Sequence, residues 1–490
     1  MIATAQTVDR PGTLTPPPGG ALIAGVWRTA PLNLPVHDPE NGAEVGRVSR
    51  CSADDVDCSV RAAAESLCQD WPLHARTASL RRAADLVQER AELFTQVIAA
   101  EGVKTLGEAS AEVARCVETL AVGSESGDVL TGETLPTGAS TRGAGRIGWF
   151  TREPLGVVAA ISSFNDPLNL VAHKFVPAIL AGAAVVLKPS DQTPLTALHL
   201  AQVLLEAGVP AHRLSVLCGG PDVGEALTAH PAVAVVSFTG GTRTGAAITR
   251  NAGVKKLLME LGGNNATIVC ADADVELAVG KIVDGAFGVA GQNCLSVQRV
   301  FVEQAVFQRV LDEVAHAASS LRVGPKLDPD TKVGPLVSVA AARRVADLVE
   351  DSVRRGARLV TGGRRDGSFY APTVLTGVPA GAPILQEEIF GPVVVIEPVA
   401  NSTEAVRRTN ECQFALQAGV FTASLDNAMR LARVITAGAV LINDTSDFRL
   451  DAMPFGGFGQ SGIGREGIRS ATLELTAPKC VLLPVPELGG

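Results

Sequence analysis

Aromatic residues make up only 4% of this 490-residue chain, and no tract concentrates Lys or Arg. The net charge is −9, with acids and bases interleaved. Nucleic-acid binding needs a basic face, so that class of partner is not expected. Paired cysteines are lacking too. Nine Cys are scattered singly with no Cys-x-x-Cys spacing, which is no disulfide framework. They read as reduced thiols of a cytoplasmic protein. No uncharged apolar run reaches ~18 residues, so no transmembrane helix is expected. The first residues have no apolar signal core. Their Pro, Thr and Gly content predicts a disordered tail over 1–20. Seven His show no HxH or HExxH spacing, which excludes the common zinc motifs.

Gly, Ala and aliphatic residues are plentiful. Such a composition suits an α/β enzyme with tight strand-to-helix turns. From Ser52 to about Val122, Ala, Leu and Val recur at helical spacing. A Gly/Thr-rich segment, 131–146, and an alternating stretch, 147–152, read as an extended arm. From Leu155 strands and helices alternate. Strands are expected at Gly156–Ser162, Ala183–Leu187, Leu214–Leu217 and Val233–Thr239. Helices are expected at Leu168–Leu180, Leu195–Ala207, from about Val223, and at Arg243–Ala252. This alternation implies a parallel sheet with right-handed crossovers. A second α/β series runs from about Gly262 to Ile442, with a helix over Asp274–Ala290 and strands at Arg299–Val302 and Val393–Val399. Lys479–Val485 reads as a closing strand.

The strongest signal is a pair of motifs, Met259-Glu260-Leu261-Gly262-Gly263-Asn264 and Gly291-Gln292-Asn293-Cys294. Given a hydride acceptor, a thiol and a carboxylate support a two-stage reaction on an aldehyde. A thiolate adds to the carbonyl carbon. Once hydride has left, a carboxylate can activate the water that hydrolyses the thioester. A lone Cys is usually only a small hydrophobe. Here the sequence resembles the aldehyde dehydrogenase superfamily, from about Gly25 to Lys479. The family's motifs occur in the family's order.

That resemblance implies a Rossmann-type cofactor domain over 21–130 and 155–261, an α/β catalytic domain over 262–469, and a β oligomerisation arm over 131–154 and 470–490. It implies a homodimer or homotetramer acting on a small-molecule aldehyde. Cys294 matches the nucleophile and Glu260 the general base. Ser162-Ser163-Phe164-Asn165-Asp166-Pro167 resembles the block whose Asn donates to the oxyanion, so Asn165 takes that role. Lys174 and Glu466 match residues that assist proton exit, and read equally well as an ordinary ion pair.

The implied cofactor is NAD, with NADP also admitted. Ile161, Ser162, Ser163 and Phe164 match cofactor contacts. Lys188 and Ser190 match contacts too, and Asp191 stands where an acidic residue reads the adenosine ribose and disfavours a 2′-phosphate. Gly220 and Gly224 match cofactor-binding positions as well. Phe238-Thr239-Gly240-Gly241, with Gly245, follows a strand and opens a helix whose N-terminus suits a pyrophosphate. Leu261 and Gly262 match cofactor-binding positions. In Glu387-Glu388-Ile389-Phe390, Glu388 matches the residue on the nicotinamide ribose and Phe390 flanks the ring.

The family's substrate-lining positions are Arg115, Asp166, Leu170, His173, Asn293, Leu295, Arg449 and Phe455. Few are aromatic and several are charged. Asp166 departs from the family's Phe and Phe164 from its Trp. The set suggests a short polar aldehyde. Arg115 and Arg449 point to an anionic tail (phosphonate, phosphate or carboxylate), in a branch that handles phosphonoaldehydes, lactaldehyde and glyceraldehyde phosphate. The alternatives are structural ion pairs at both Arg residues with a neutral hydroxyaldehyde substrate, or a CoA-acylating semialdehyde dehydrogenase. Glu260 argues against the CoA reading, and intact Cys294, Glu260 and Asn165 argue against a non-catalytic member.

Overall fold

A computed structural model describes residues 20–28 and 33–485. The expected tail over 1–20 lies almost wholly outside the described residues. Two open sheets and a small antiparallel arm carry the chain. The first sheet has eight strands, with Leu214–Val216, Ala184–Lys188, Val157–Ile161, Val233–Thr239 and Lys256–Glu260 parallel at its centre. Its edges depart from the parallel reading. Leu22–Ile23 pairs antiparallel at one side, and Gly462–Ile463 returns from far along the chain to pair antiparallel at the other.

The sequence order of those central strands reverses between Val157–Ile161 and Val233–Thr239. Crevices for ligands open at the carboxyl ends of strands beside such a reversal. The strands end there on Ile161, Lys188, Thr239 and Glu260. The second sheet has seven strands, parallel except for the edge strand Arg358–Thr361. Its strands Asn265–Val269 and Val297–Glu303 pair side by side, and Cys294 lies three residues before the latter. The carboxyl end of one sheet therefore meets the amino end of the other. The arm pairs Thr476–Pro484 with Arg146–Pro154, and that strand with Glu133–Leu135.

Local chemistry explains the elements. The helical stretch near the N-terminus is four helices, Ala53–Ser66, Leu73–Glu89, Ala91–Glu101 and Leu106–Glu125. Ser52 with Asp55, and Thr105 with Glu108, form reciprocal capping boxes that start two of them. Val158, Val185, Leu187 and Phe175 are buried in the core beneath the first sheet, and Val300, Val302 and Ile396 in that of the second. Each such side chain contributes about 1.5–3 kcal/mol.

The helix expected over Asp274–Ala290 ends earlier, at Phe287. Val289, Ala290 and Gly291 follow with φ of 52°, 51° and 68°. A β-branched residue in the left-handed region is an outlier held by its surroundings. The Val289 N–H donates to Glu108 at 2.7 Å. Buried Gln292 donates to the carbonyls of Val289 and Pro335 and accepts from the Val337 N–H. This strained turn aims Asn293 and Cys294.

A Cβ on Gly291 would lie 2.1 Å from the Gly391 carbonyl oxygen. Gly291→Ala should therefore lose about 1–3 kcal/mol from its backbone conformation alone, with the clash added. A denaturation midpoint equal to wild type would contradict this account of the turn.

Candidate active site

A cavity of about 880 Å³ opens where the two sheets meet. Of the residues expected from sequence, it brings together Cys294, Glu260 and Asn165. It also gathers Ser163, Phe164, Thr239, Gly240, Gly241, Leu261, Gly262, Glu388 and Phe390 from the cofactor set. From the substrate set it gathers Arg115, Asp166, Leu170, Asn293, Leu295 and Arg449. His173, Lys174, Phe455 and Glu466 lie behind its wall. Ile161, Ser162, Lys188, Ser190, Asp191, Gly220, Gly224, Phe238 and Gly245 are outside the lining, along the carboxyl end of the first sheet and the helices that follow it.

Cys294 is held through its backbone. The Asn265 side-chain amide donates to its carbonyl at 2.7 Å. Asn293 Oδ1 lies 3.8 Å from Cys294 Sγ and accepts from the Leu295 N–H at 3.0 Å. Burial pushes the Cys294 thiol well above its ordinary pKa, and the carboxylates of Glu388 and Glu260 push the same way, with Arg449 opposing.

Glu260 ends its strand against the same cavity. Its Oε2 is buried with no hydrogen-bond partner among the described residues. A Cβ on Gly456 would come within 2.7 Å of its Oε1, so glycine gives this carboxyl room. Burial raises Glu260 well above the ordinary carboxylate range, and Glu466 raises it further; Arg449, Lys174 and Arg465 oppose. Its charged form is therefore disfavoured where it stands.

Glu466 has the opposite fate. Lys174 Nζ donates to its Oε1 at 2.5 Å, Thr239 Oγ1 donates to the same oxygen at 3.2 Å, and Arg449 approaches its Oε2 at 3.4 Å. Burial works to raise its pKa, yet Lys174 and Arg449 hold it down at about 2. Two carboxyls in one neighbourhood are thus driven apart in pKa, the arrangement by which acid and base roles separate.

Arg449, with a side chain 6% exposed, stacks over Phe455 at 3.9 Å and reaches His173 at 3.4 Å. His173 bonds Asp451 at 3.0 Å. Arg115 is more open, 39% exposed, with contacts of 3.9 Å to Asp166 and 3.5 Å to Asp451. Asp166 also pairs with Lys104, which pairs with Glu112 at 2.8 Å. Glu112 in turn accepts from the N–H groups of Leu168 and Asn169, fixing the start of the Asn169–Ala181 helix below Asn165.

The cofactor positions fit a dinucleotide. The helix Thr242–Asn251 starts at Gly241 with no side-chain cap, and its first residues line the cavity. Free N–H groups at a helix start suit a pyrophosphate. A Cβ on Gly240 would strike the Phe238 ring at 2.6 Å, and one on Gly245 the Leu261 side chain at 2.5 Å. Lys188 Nζ donates to Asp191 at 2.6 Å and to the Pro189 carbonyl at 3.0 Å. Glu388 accepts from the Gly263 N–H at 3.0 Å, and burial lifts its carboxyl to about 7. Phe390 meets Phe164 edge-on at 5.9 Å.

Sequence reasoning missed Lys104, Glu112, Gln292, Arg344, Asp447 and Asp451. Arg344 lines the cavity and donates to the carbonyls of Glu388 and Ile389. Lys104 and Glu112 lie on the helical stretch, where charge reads as solvated surface. Only their burial sets them apart.

The chain belongs to the aldehyde dehydrogenase family, NAD(P)-dependent oxidoreductases acting on aldehydes; the profile of that family matches residues 27–481. Among its relatives is aspartate-semialdehyde dehydrogenase 1 of Pseudomonas canavaninivorans, 43% identical, covering 92% of this chain and 97% of the relative. The 3-sulfolactaldehyde dehydrogenase of Priestia aryabhattai is 38% identical, covering 95% and 98%. The NADP-dependent glyceraldehyde-3-phosphate dehydrogenase of Bacillus halodurans, solved with NADP, superposes with a TM-score of 0.92 at 33% identity, covering 96% and 99%. No helix among the described residues is long and apolar enough to cross a membrane.

The buried pair of Lys174 and Glu466 gives a direct test. Lys174→Met should cost about 3–5 kcal/mol, because Glu466 keeps its charge with only Arg449 beside it. Adding Glu466→Gln should return much of that loss. A single variant as stable as wild type in chemical denaturation would refute the pairing.

Proposed function

We propose that the enzyme oxidises a short, polar aldehyde with an anionic tail to the free carboxylic acid, through a thioester on Cys294. The observation that carries this is one cavity lined by Cys294, Asn165 and Glu260 together with Arg115 and Arg449. Cys294, its proton lost to water, adds as the thiolate through Sγ to the aldehyde carbon. The carbonyl oxygen becomes an oxyanion, held by the Asn165 side-chain amide and the Cys294 N–H. A nicotinamide, when bound, supplies the hydride acceptor that turns this thiohemiacetal into a thioester. Glu260 then takes a proton from water, hydroxide adds to the thioester, and the thiolate of Cys294 leaves. Thr239, Glu466 and Lys174 offer the proton a way out of the cavity wall.

The related enzymes are named for aldehydes with carboxylate, sulfonate and phosphate tails, in keeping with this substrate class. Release by water rather than CoA follows from the presence of Glu260. NAD is the preferred cofactor, through Asp191. That preference is modest, since Lys188 neutralises Asp191 and Asp191 is 42% exposed. The arm formed by Arg146–Pro154 and Thr476–Pro484 is where a homodimer or homotetramer would join. The setting is cytoplasmic, in keeping with nine cysteines that are all unpaired.

Cys294→Ala should bind dinucleotide and turn over no aldehyde. Glu260→Gln should slow the steady state by roughly 10²–10⁴-fold. Both groups have raised pKa values, and each must lose its proton to act. Wild-type turnover should therefore rise as pH increases into the alkaline range. Initial rates with NAD and with NADP across pH check all of this. Turnover by Cys294→Ala, or a rate that falls as pH rises above neutrality, would overturn the proposal.

A further inference from the structure

The charges around the nucleophile close on themselves. Lys104, Arg115, Lys174 and Arg449 face Glu112, Asp166, Asp451 and Glu466, all joined by the ion pairs described above. His173 is kept neutral by burial, with Arg449 acting the same way. A ligand carrying net negative charge would add a charge that nothing in this network offsets. A net-neutral ligand would not.

Two groups on the cavity wall keep capacity that this network leaves unmet. Arg449, nearly buried, has an Nε with no partner among the described residues. It is a donor waiting for an acceptor. Asp447 is its counterpart. It lines the cavity and has no Lys, Arg or His within ion-pair distance among the described residues. Its one side-chain hydrogen bond comes from Asn293 Nδ2, at 2.5 Å. The charged groups that bear on Asp447 are Asp166, Arg115, Asp284 and Asp444, three acids against one base. Asp444 is already held by Lys281 at 2.9 Å. Burial and these neighbouring acids lift the Asp447 carboxyl to about 6, so at neutral pH it is an anion short of a cation.

Asn293 links this acid to the chemistry. One end of its amide holds Asp447 and the other lies 3.8 Å from Cys294 Sγ. A substituent a carbon or two from the reacting carbonyl would therefore reach Asp447 while an anionic group on the same short chain met Arg115 or Arg449. We propose that the substrate is a zwitterion, an amino-acid semialdehyde whose carboxylate is read by Arg115 and Arg449 and whose ammonium is read by Asp447. This rests on the dehydrogenase reading above and narrows it from anionic aldehydes at large to those carrying an ammonium as well. It makes Asp447 a specificity-determining residue.

The test compares kcat/KM for aspartate semialdehyde, its N-acetyl derivative and succinate semialdehyde, which keeps the carboxylate and lacks the nitrogen. Wild-type enzyme should favour aspartate semialdehyde over both others by roughly 10–100-fold, the range of one charge-assisted hydrogen bond. In Asp447→Asn that ratio should collapse toward one. If wild type treats the three alike or prefers succinate semialdehyde, the zwitterion proposal is overturned while the dehydrogenase reading stands. If no aldehyde yields NADH or NADPH, both fall. Should Asp447→Asn fail to fold, the wild-type comparison alone decides.

Discussion

Glu466 held as an anion by Lys174 and Arg449 is the interaction on which the site's electrostatics turn. Because Glu466 keeps its charge, Glu260 is discouraged from taking one. Glu260 is also buried without a partner for one oxygen, and that burial is the larger cause of its raised pKa. A base is useful only if its pKa lies near the working range. Here the Glu466 charge adds to what burial already does. Arg449 serves both sides of this balance. It steadies Glu466, and it is among the charges that lower Glu260 and Cys294. Its stacking on Phe455 keeps it at the wall, where it can act on both.

Geometry at the nucleophile comes from a different source. Three successive left-handed residues, Val289 to Gly291, hold the chain in a conformation it would not choose. Gln292 and Glu108 anchor the turn by hydrogen bonds to backbone. Strain kept at such a position is sustained by surrounding structure, and here it aims Asn293 and Cys294 into the gap between the sheets. The cofactor side of the gap needs less effort. Carboxyl ends of parallel strands and an uncapped helix start provide it through topology alone.

Much of this was legible before any coordinates. Val233–Thr239 and Val393–Val399 fall where the apolar runs place them, since a buried parallel strand has few other readings. The Cys294, Glu260 and Asn165 motifs converge on one cavity although they lie far apart along the chain. What stayed hidden depends on tertiary placement. The early end of the Val275–Phe287 helix gives way to a left-handed turn held by hydrogen bonds to Glu108, Pro335 and Val337, distant partners that local pattern cannot report. Lys104, Glu112 and Asp451 look like ordinary surface charge until burial and partners are known. Sequence alone does not separate Arg115 from Arg449, and they differ. Arg449 is nearly buried and tied to Glu466, whereas Arg115 is open with long ion pairs. Asp447 went unnoticed because a single Asp in a loop has no signature. Its meaning lies in the missing cation.

The covalent route through Cys294 is the claim on which the rest depends. Mass spectrometry of Glu260→Gln, quenched in acid after mixing with aldehyde and NAD, tests it most directly. The account predicts an acyl adduct on the peptide containing Cys294, heavier than the free thiol by the substrate's acyl group, and none when NAD is omitted. Acid and NADH formed at full rate with no adduct on Cys294 would contradict it.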